Sequence, residues 1–222
     1  MKCVAFIPAR LESKRFPNKI IKKIFGIPMV EHVRRRAIIS KAFDDVYIVT
    51  NNLNLKKNLK KYFAKTILTK KRHLNGTSRI SEIANKVKFD YAVILFGDEP
   101  FVNPNHLKTI VKKIKKEKKS SVFNITTNLK NKDLLSPEIV KTIIDKENYI
   151  KDYFRLSKIK IKKNLKLRKS SGVIILRKEL INNYKYLKIK KKEKDNKIEQ
   201  FRFLENGKKI KSIFVKNIYP SV

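Results

Sequence analysis

Short apolar runs separated by amphipathic stretches constrain this chain more than any other feature. Residues 3–7 run Cys-Val-Ala-Phe-Ile and stop at Pro8; a brief apolar run bounded by a breaker reads as a buried strand. The pattern recurs at 46–50, 66–69, 91–96 and 121–127. Between these runs, Pro28 opens a helix to about residue 40, and a polar helix covers roughly 55–63. Asn75-Gly76 make a turn, after which Thr77 can cap a helix to about 87, and Pro104 starts another to about 119. Strand and helix in alternation predict an α/β fold with a mainly parallel central sheet flanked by helices. The second half is less regular. Residues 139–144, 172–176 and 210–215 read as strands, and 193–205 as one helix ended by Asn206-Gly207. The lysine-heavy stretches 158–169 and 185–197 read as solvated. No internal repeat and no Pro/Gly/Ser-rich linker divides the 222 residues, so one domain spanning 1–222 is expected.

Charge and cysteine usage narrow the function classes. Lys and Arg number 56 against 19 Asp and Glu, a formal net charge of +37. Such a balance fits nucleic-acid binding by phosphate neutralisation, but the lysines are spread over almost every polar segment, with no interleaved aromatics and no nucleic-acid motif. A lysine-rich surface on an ordinary enzyme is the preferred reading, and it would still attract anionic substrates. Cys3 is the only cysteine and sits in an apolar run, which suits an inert thiol in a reducing cytoplasm. No run of about 18 apolar residues exists, so no membrane span is expected. His32 reads as structural on a helix face, and His106 as exposed. No His/Cys cluster suggests zinc.

Two segments at strand ends carry the chemistry, because ligands of open α/β sheets bind outside the carboxyl ends of the strands. The first, residues 8–19, sets Arg10, Arg15 and Lys19 on one loop after the first strand. Three cations there make a credible triphosphate clamp, while the Gly-x-x-x-x-Gly-Lys pattern of a P-loop is absent. The second is Gly97-Asp98-Glu99-Pro100. Its Asp98 fits either a metal ligand against phosphate oxygens or a helix-capping turn residue.

Taken in order, the motifs resemble the cytidylyltransferases that activate 3-deoxy-2-keto sugar acids, those acting on 3-deoxy-manno-octulosonate (Kdo) above all. The opening Ile-Pro-Ala-Arg-x-x-Ser-x-Arg-x-Pro-x-Lys is similar to that family's nucleotide loop. Gly26 to Val33, His73-Leu74-Asn75-Gly76-Thr77-Ser78-Arg79, Gly97 to Pro100, residues 137–155 and residues 199–207 resemble its later segments. The resemblance implies a Rossmann-like nucleotide-diphospho-sugar transferase fold. It also implies CMP transfer from CTP to the acid's anomeric hydroxyl, feeding lipopolysaccharide synthesis. Arg10 and Lys19 would hold the triphosphate, with Pro8, Ala9, Ser13, Arg15 and Gly97 nearby. Lys70, His73, Asn75, Gly76 and Thr77 would line the cytidine pocket. Asp98 would bind Mg²⁺. The resemblance further implies a homodimer, with residues 137–190 as a dimerisation and sugar-binding lobe marked by exposed apolar surface over 139–156.

The sequence departs from the family's pattern at several points. Phe96 stands where the family has Gln, Asn75 where it has Ser, Ser78 where it has an acid, and Lys70 where an Arg is expected. A His-x-Gly-x-Tyr strand is replaced by Lys169-Ser170-Ser171-Gly172-Val173-Ile174-Ile175-Leu176, which keeps other keto sugar acids open as substrates. The chain stops at Ser221-Val222, ahead of the family's second metal-binding Asp. A truncated chain with weak or no activity, or a non-enzymatic relative, is the corresponding expectation.

Overall fold

The computed structural model describes residues 1–11, 16–70, 72–117, 119–155 and 166–218. Ser13, Arg15, residues 158–165 and Ser221-Val222 lie outside them. In chain order the strands and helices are β1 (Cys3–Pro8), β2 (Lys23–Ile24), β3 (Ile27–Pro28), α1 (Met29–Ile39), β4 (Asp45–Thr50) and α2 (Leu53–Lys60). There follow β5 (Thr66–Leu68), α3 (Gly76–Ile83), β6 (Tyr91–Ile94), α4 (Pro104–Lys116), β7 (Val122–Thr127) and α5 (Asn131–Leu134). The last are β8 (Lys141–Ile144), β9 (Tyr149–Phe154), β10 (Lys166–Arg177), α6 (Lys178–Asn182), α7 (Lys191–Asn196), α8 (Phe201–Glu205) and β11 (Ile210–Phe214).

Among the described residues, nine strands form one sheet in the order β5-β4-β1-β6-β10-β7-β11-β9-β8. The half built first, β5-β4-β1-β6, is parallel throughout, as alternating strands and helices require. β10 then enters antiparallel between β6 and β7, and its first residues also pair with β8. β11 runs parallel to β7, while β9 is antiparallel to β11 and to β8. The short strand expected at 172–176 is thus part of a twelve-residue strand. Its first half, Lys-Leu-Arg-Lys-Ser-Ser, lacks the apolar run that marks a buried strand, which is also why 166–169 read as solvated.

Both faces of the sheet are covered. Val33 and Ala37 of α1, Leu55 and Leu59 of α2, and Leu107, Ile110 and Ile114 of α4 pack on Ala5, Ile7, Val93 and Phe123. On the other face Ile80 and Ile83 of α3, Ile181 of α6, and Phe201 and Phe203 of α8 pack on Val4, Phe6, Ile94 and Ile174. Cys3 is fully buried, and burial pushes its thiol up to about 11, so it is inert.

Several local expectations are corrected. The helix expected over 193–205 is two. Lys197 takes a left-handed conformation, φ 53°, at the end of α7. Glu193 and Arg202 then form a buried two-point ion pair at 2.8 and 2.6 Å. A continuous helix would separate them by about 13.5 Å along its axis, so the break makes that pair possible. Asn75, not Thr77, caps α3: its Oδ1 accepts the Ser78 N–H at 2.8 Å, and the Asn75 N–H reaches Ser78 Oγ. The loop at 23–28 holds a hairpin whose tip, Phe25 and Gly26, has φ of 47° and 76°, the double positive φ of a type I′ turn. His106 is half-buried rather than exposed, whereas His32 is structural, with Nε2 2.8 Å from the Ile24 carbonyl. Of the apolar residues over 139–156, Ile143, Ile144, Ile150 and Tyr153 are buried, while Ile139, Val140, Tyr149 and Phe154 are partly exposed. Tyr153 meets Phe201 edge-on at 5.7 Å. No helix of the described residues is long and apolar enough to cross a membrane.

Candidate active site

A cleft of about 570 Å³ opens at the carboxyl ends of β1 and β6 and extends past β10 toward β7. Pro8 and Arg10 line it from the end of β1, Lys19 from the loop that follows, and Gly97 and Asp98 from the end of β6. The loop after β1 returns to the cleft because the Asn18 N–H bonds the Leu11 carbonyl at 3.0 Å. Lys19 Nζ then meets Asp98 Oδ2 at 2.6 Å. Asp98 is therefore no helix cap; Asn103 takes that role, its Oδ1 accepting the Asn105 N–H.

The N-terminus of α3 forms the second wall, with His73, Asn75, Gly76 and Arg79. A Cβ on Gly76 would lie 3.0 Å from Pro8 Cγ, so a glycine allows α3 to approach the end of β1 this closely. His73 Nε2 is 2.8 Å from Glu82 Oε2, while Glu82 Oε1 accepts the Lys70 N–H. Arg79 is buried and donates to Asn51 Oδ1 and Thr69 Oγ1.

Beyond Gly97 the cleft is closed by β10 and the 197–200 segment. Between Ser170 and Ile174 the β10–β7 register shifts. Gly172 lies in this bulge, and a Cβ there would sit 2.5 Å from Glu99 Oε1 and 2.8 Å from Phe96 Cδ2. Burial, then the neighbouring Asp98 charge, push the Glu99 carboxyl up to about 7, against the Gly172 N–H that it accepts. Asn124, fully buried, pins the bulge. Its Nδ2 donates to the Ser171 and Val173 carbonyls at 3.2 and 2.9 Å, and its Oδ1 accepts from Ser170 Oγ and Tyr153 Oη at 2.7 and 3.1 Å. Glu199 accepts from Thr77 Oγ1 at 3.1 Å, and burial pushes its carboxyl up to about 7 as well.

Of the residues singled out from sequence, the cleft gathers Pro8, Arg10, Lys19, His73, Asn75, Gly76, Gly97 and Asp98. Three described ones stand off its wall. Ala9 is buried and its N–H bonds the Val49 carbonyl. Lys70 is exposed, its backbone held by Glu82. Thr77 is buried behind Glu199. Sequence reasoning missed Glu99, Glu199 and Gln200 as lining residues, while Phe96 and Lys169, noted from sequence as departures from the family's pattern, also line it. Glu199 and Gln200 were placed within a helix, and only the break at Lys197 brings them to the cleft.

The arrangement sets cations and the Asp98 carboxylate around a space large enough for a nucleotide and a second substrate. A family profile described as Cytidylyltransferase matches residues 4–210. A 3-deoxy-manno-octulosonate cytidylyltransferase of Christiangramia forsetii is 31% identical over 96% of this chain and 88% of its own. One from Escherichia coli is 28% identical over 100% and 91%. A solved structure of CMP:2-keto-3-deoxy-manno-octonic acid synthetase complexed with CTP matches with TM-score 0.92 at 26% identity, covering 100% of this chain and 93% of that one.

Proposed function

This chain belongs to the cytidylyltransferase family, and from that premise we propose that it transfers CMP from CTP to 3-deoxy-manno-octulosonate, releasing pyrophosphate. The observation that carries the reading is the meeting of Arg10, Lys19 and Asp98 at two adjacent parallel strand ends, in one cleft with the N-terminus of α3. The acid's anomeric hydroxyl attacks the α-phosphorus, the bond to the β-phosphate oxygen breaks, and the hydroxyl proton is released. No covalent enzyme intermediate is required. The work is positioning and charge neutralisation.

Arg10 and Lys19 take the triphosphate, with Ser13 and Arg15 of the same loop. Pro8, Gly97, His73, Asn75 and Gly76 shape the nucleotide end. Ala9 and Thr77 are buried behind that wall, and Lys70, exposed, adds its charge to the cytidine end. The positive end of the α3 dipole adds to the same field.

Asp98 suits Mg²⁺. It is a strand-end carboxylate with part of its surface open to the cleft, already paired with a cation, Lys19. Mg²⁺ is commonly held by one or two carboxylates together with substrate phosphates and water, so the lack of a three-residue cluster of metal-binding side chains among the described residues is compatible with it. When bound, the ion would neutralise charge developing on the phosphate oxygens. The chain is further assigned to the cytoplasm as a homodimer through residues 137–190, which light scattering on the purified protein would check.

The test is pyrophosphate release from CTP, with Kdo and a panel of other keto sugar acids, with and without Mg²⁺. Release that needs both Kdo and metal is the expected result. Release driven only by another acid would move the substrate assignment, and release driven by none would remove it.

A further inference from the structure

The far end of the cleft holds a cation and a hydroxyl that no described residue answers. Lys169 and Thr127 are directly opposite each other on β10 and β7, so their side chains share a face, and both line the cleft. Among the described residues Lys169 makes no ion pair or hydrogen bond through its ammonium group. Thr127 is 4% exposed, and its Oγ1 is one of two buried side-chain polar atoms without a hydrogen-bond partner among the described residues. Opposed residues in an antiparallel pair have Cβ atoms about 4.5–5.5 Å apart, so a ligand group held by Lys169 lies beside Thr127, whose hydroxyl meets it once a χ1 rotation turns Oγ1 out of its buried position.

Position separates this pair from the nucleotide end. β7 lies two strands from β6 and three from β1, or about 10 and 14 Å at ordinary strand spacing. The other cations of this end are differently placed. Arg155 Nη1 is occupied by the Pro137 and Glu138 carbonyls at 3.1 and 3.0 Å. Lys197 is exposed. The bulge that follows Lys169 is fixed on both sides, by the three hydrogen bonds of Asn124 to Ser170, Ser171 and Val173 and by the close seat of Gly172 on Phe96 and Glu99. A bulge so held re-aims its flanking side chains reproducibly. The buried hydroxyl needs a hydrogen-bond partner, and the ammonium needs an anion.

We propose that Lys169 and Thr127 together read the carboxylate of the acceptor sugar acid, an inference that rests on the cytidylyltransferase reading of this cleft. Lys169 supplies the charge, and the carboxylate accepts the hydrogen bond that Thr127 lacks a partner for. Asn124 is a positioning residue, acting through the bulge.

The experiment is steady-state kinetics of wild type, Lys169→Met, Lys169→Arg and Thr127→Val, with the acid and its methyl ester, alongside thermal melts. Loss of one charge-assisted hydrogen bond predicts a rise of roughly 10- to 100-fold in the KM for the acid in Lys169→Met. The KM for CTP should stay within about twofold, and the preference for acid over ester should collapse. Lys169→Arg should keep most of that preference. Thr127→Val should raise the KM for the acid while leaving the melting temperature equal or higher, because it deletes an unpartnered buried hydroxyl; a merely structural threonine would give the reverse. Unchanged acid KM and intact ester discrimination in Lys169→Met and Thr127→Val, with wild type active, would overturn this inference alone. A wild type inactive with every keto sugar acid would overturn the functional reading, and this inference with it.

Discussion

Gly172→Ala tests how closely the bulge in β10 is seated. The added Cβ would lie 2.5 Å from Glu99 Oε1, 2.8 Å from Phe96 Cδ2 and 3.3 Å from Phe96 Cε2. Carbon atoms rest at about 3.5–4.0 Å, so the overlap with the Phe96 ring is most of an ångström. Glu99 can swing aside, but it then loses the Gly172 N–H that it accepts. Relief at Phe96 requires the whole ring to turn or shift away from β10. Overpacking costs about 1–3 kcal/mol, and the lost hydrogen bond adds about 1 kcal/mol. At roughly 2–4 °C per kcal/mol for a domain of this size, the melting temperature should fall by roughly 4–16 °C. Urea unfolding monitored by circular dichroism reads the stability, and pyrophosphate release reads the KM for the acid, which should rise because the bulge carries the wall proposed to take the acceptor. Phe96→Ala combined with Gly172→Ala should recover part of the stability lost by Gly172→Ala, relative to Phe96→Ala alone. A Gly172→Ala protein with the wild-type urea midpoint and wild-type kinetics would refute the close-seat reasoning.

Other outcomes follow from the same geometry. Asp98→Asn and Lys19→Met should lower kcat by roughly 10²–10³-fold, the scale for removing a group that stabilises transition-state charge, with unchanged far-ultraviolet circular dichroism. Glu31 is fully buried between Arg34 and Arg35, at 2.7 to 2.9 Å. Glu31→Ala leaves the Arg34 charge buried without its carboxylate and should cost about 3–5 kcal/mol in urea unfolding; a cost under about 1 kcal/mol would show that water or another group replaces it. Glu199 titrates near 7 in the folded chain against about 4.3 when unfolded. Between those values the native state keeps a proton that the unfolded chain has released, so stability falls as pH rises through that window and levels above it. Relative to wild type, Glu199→Gln should therefore gain melting temperature from pH 5 to pH 8; an equal difference at both values would contradict the assignment.

The parallel half of the fold was legible because its strands are buried on both faces and read as unbroken apolar runs, such as Val93 beneath α4 and Ala92 beneath α3. The strand-end cations and Asp98 were legible for the same reason: a run that ends names the residues at its end. The antiparallel half was not. β10 begins with Lys166, Arg168 and Lys169, whose charges conceal a strand that pairs three neighbours, and β9 mixes Lys151 and Asp152 with the buried Ile150 and Tyr153. The 197–200 turn rests on a left-handed lysine and a buried Glu193–Arg202 pair. Both are long-range consequences that no local pattern carries, so Glu199 and Gln200 came to the cleft only in the folded chain. Thr77 shows the opposite error: a good capping residue displaced from that role because Asn75, two positions earlier, caps the helix and frees the threonine to hold Glu199.

The most direct test of nucleotidyl transfer is to identify the product by phosphorus NMR and mass spectrometry when the protein is incubated with CTP, Kdo and Mg²⁺. The account predicts a single CMP–sugar acid phosphodiester formed in equal amount with pyrophosphate, and none from CTP alone. Free CMP or CDP as the product, or consumption of CTP at the same rate without the acid, would contradict it.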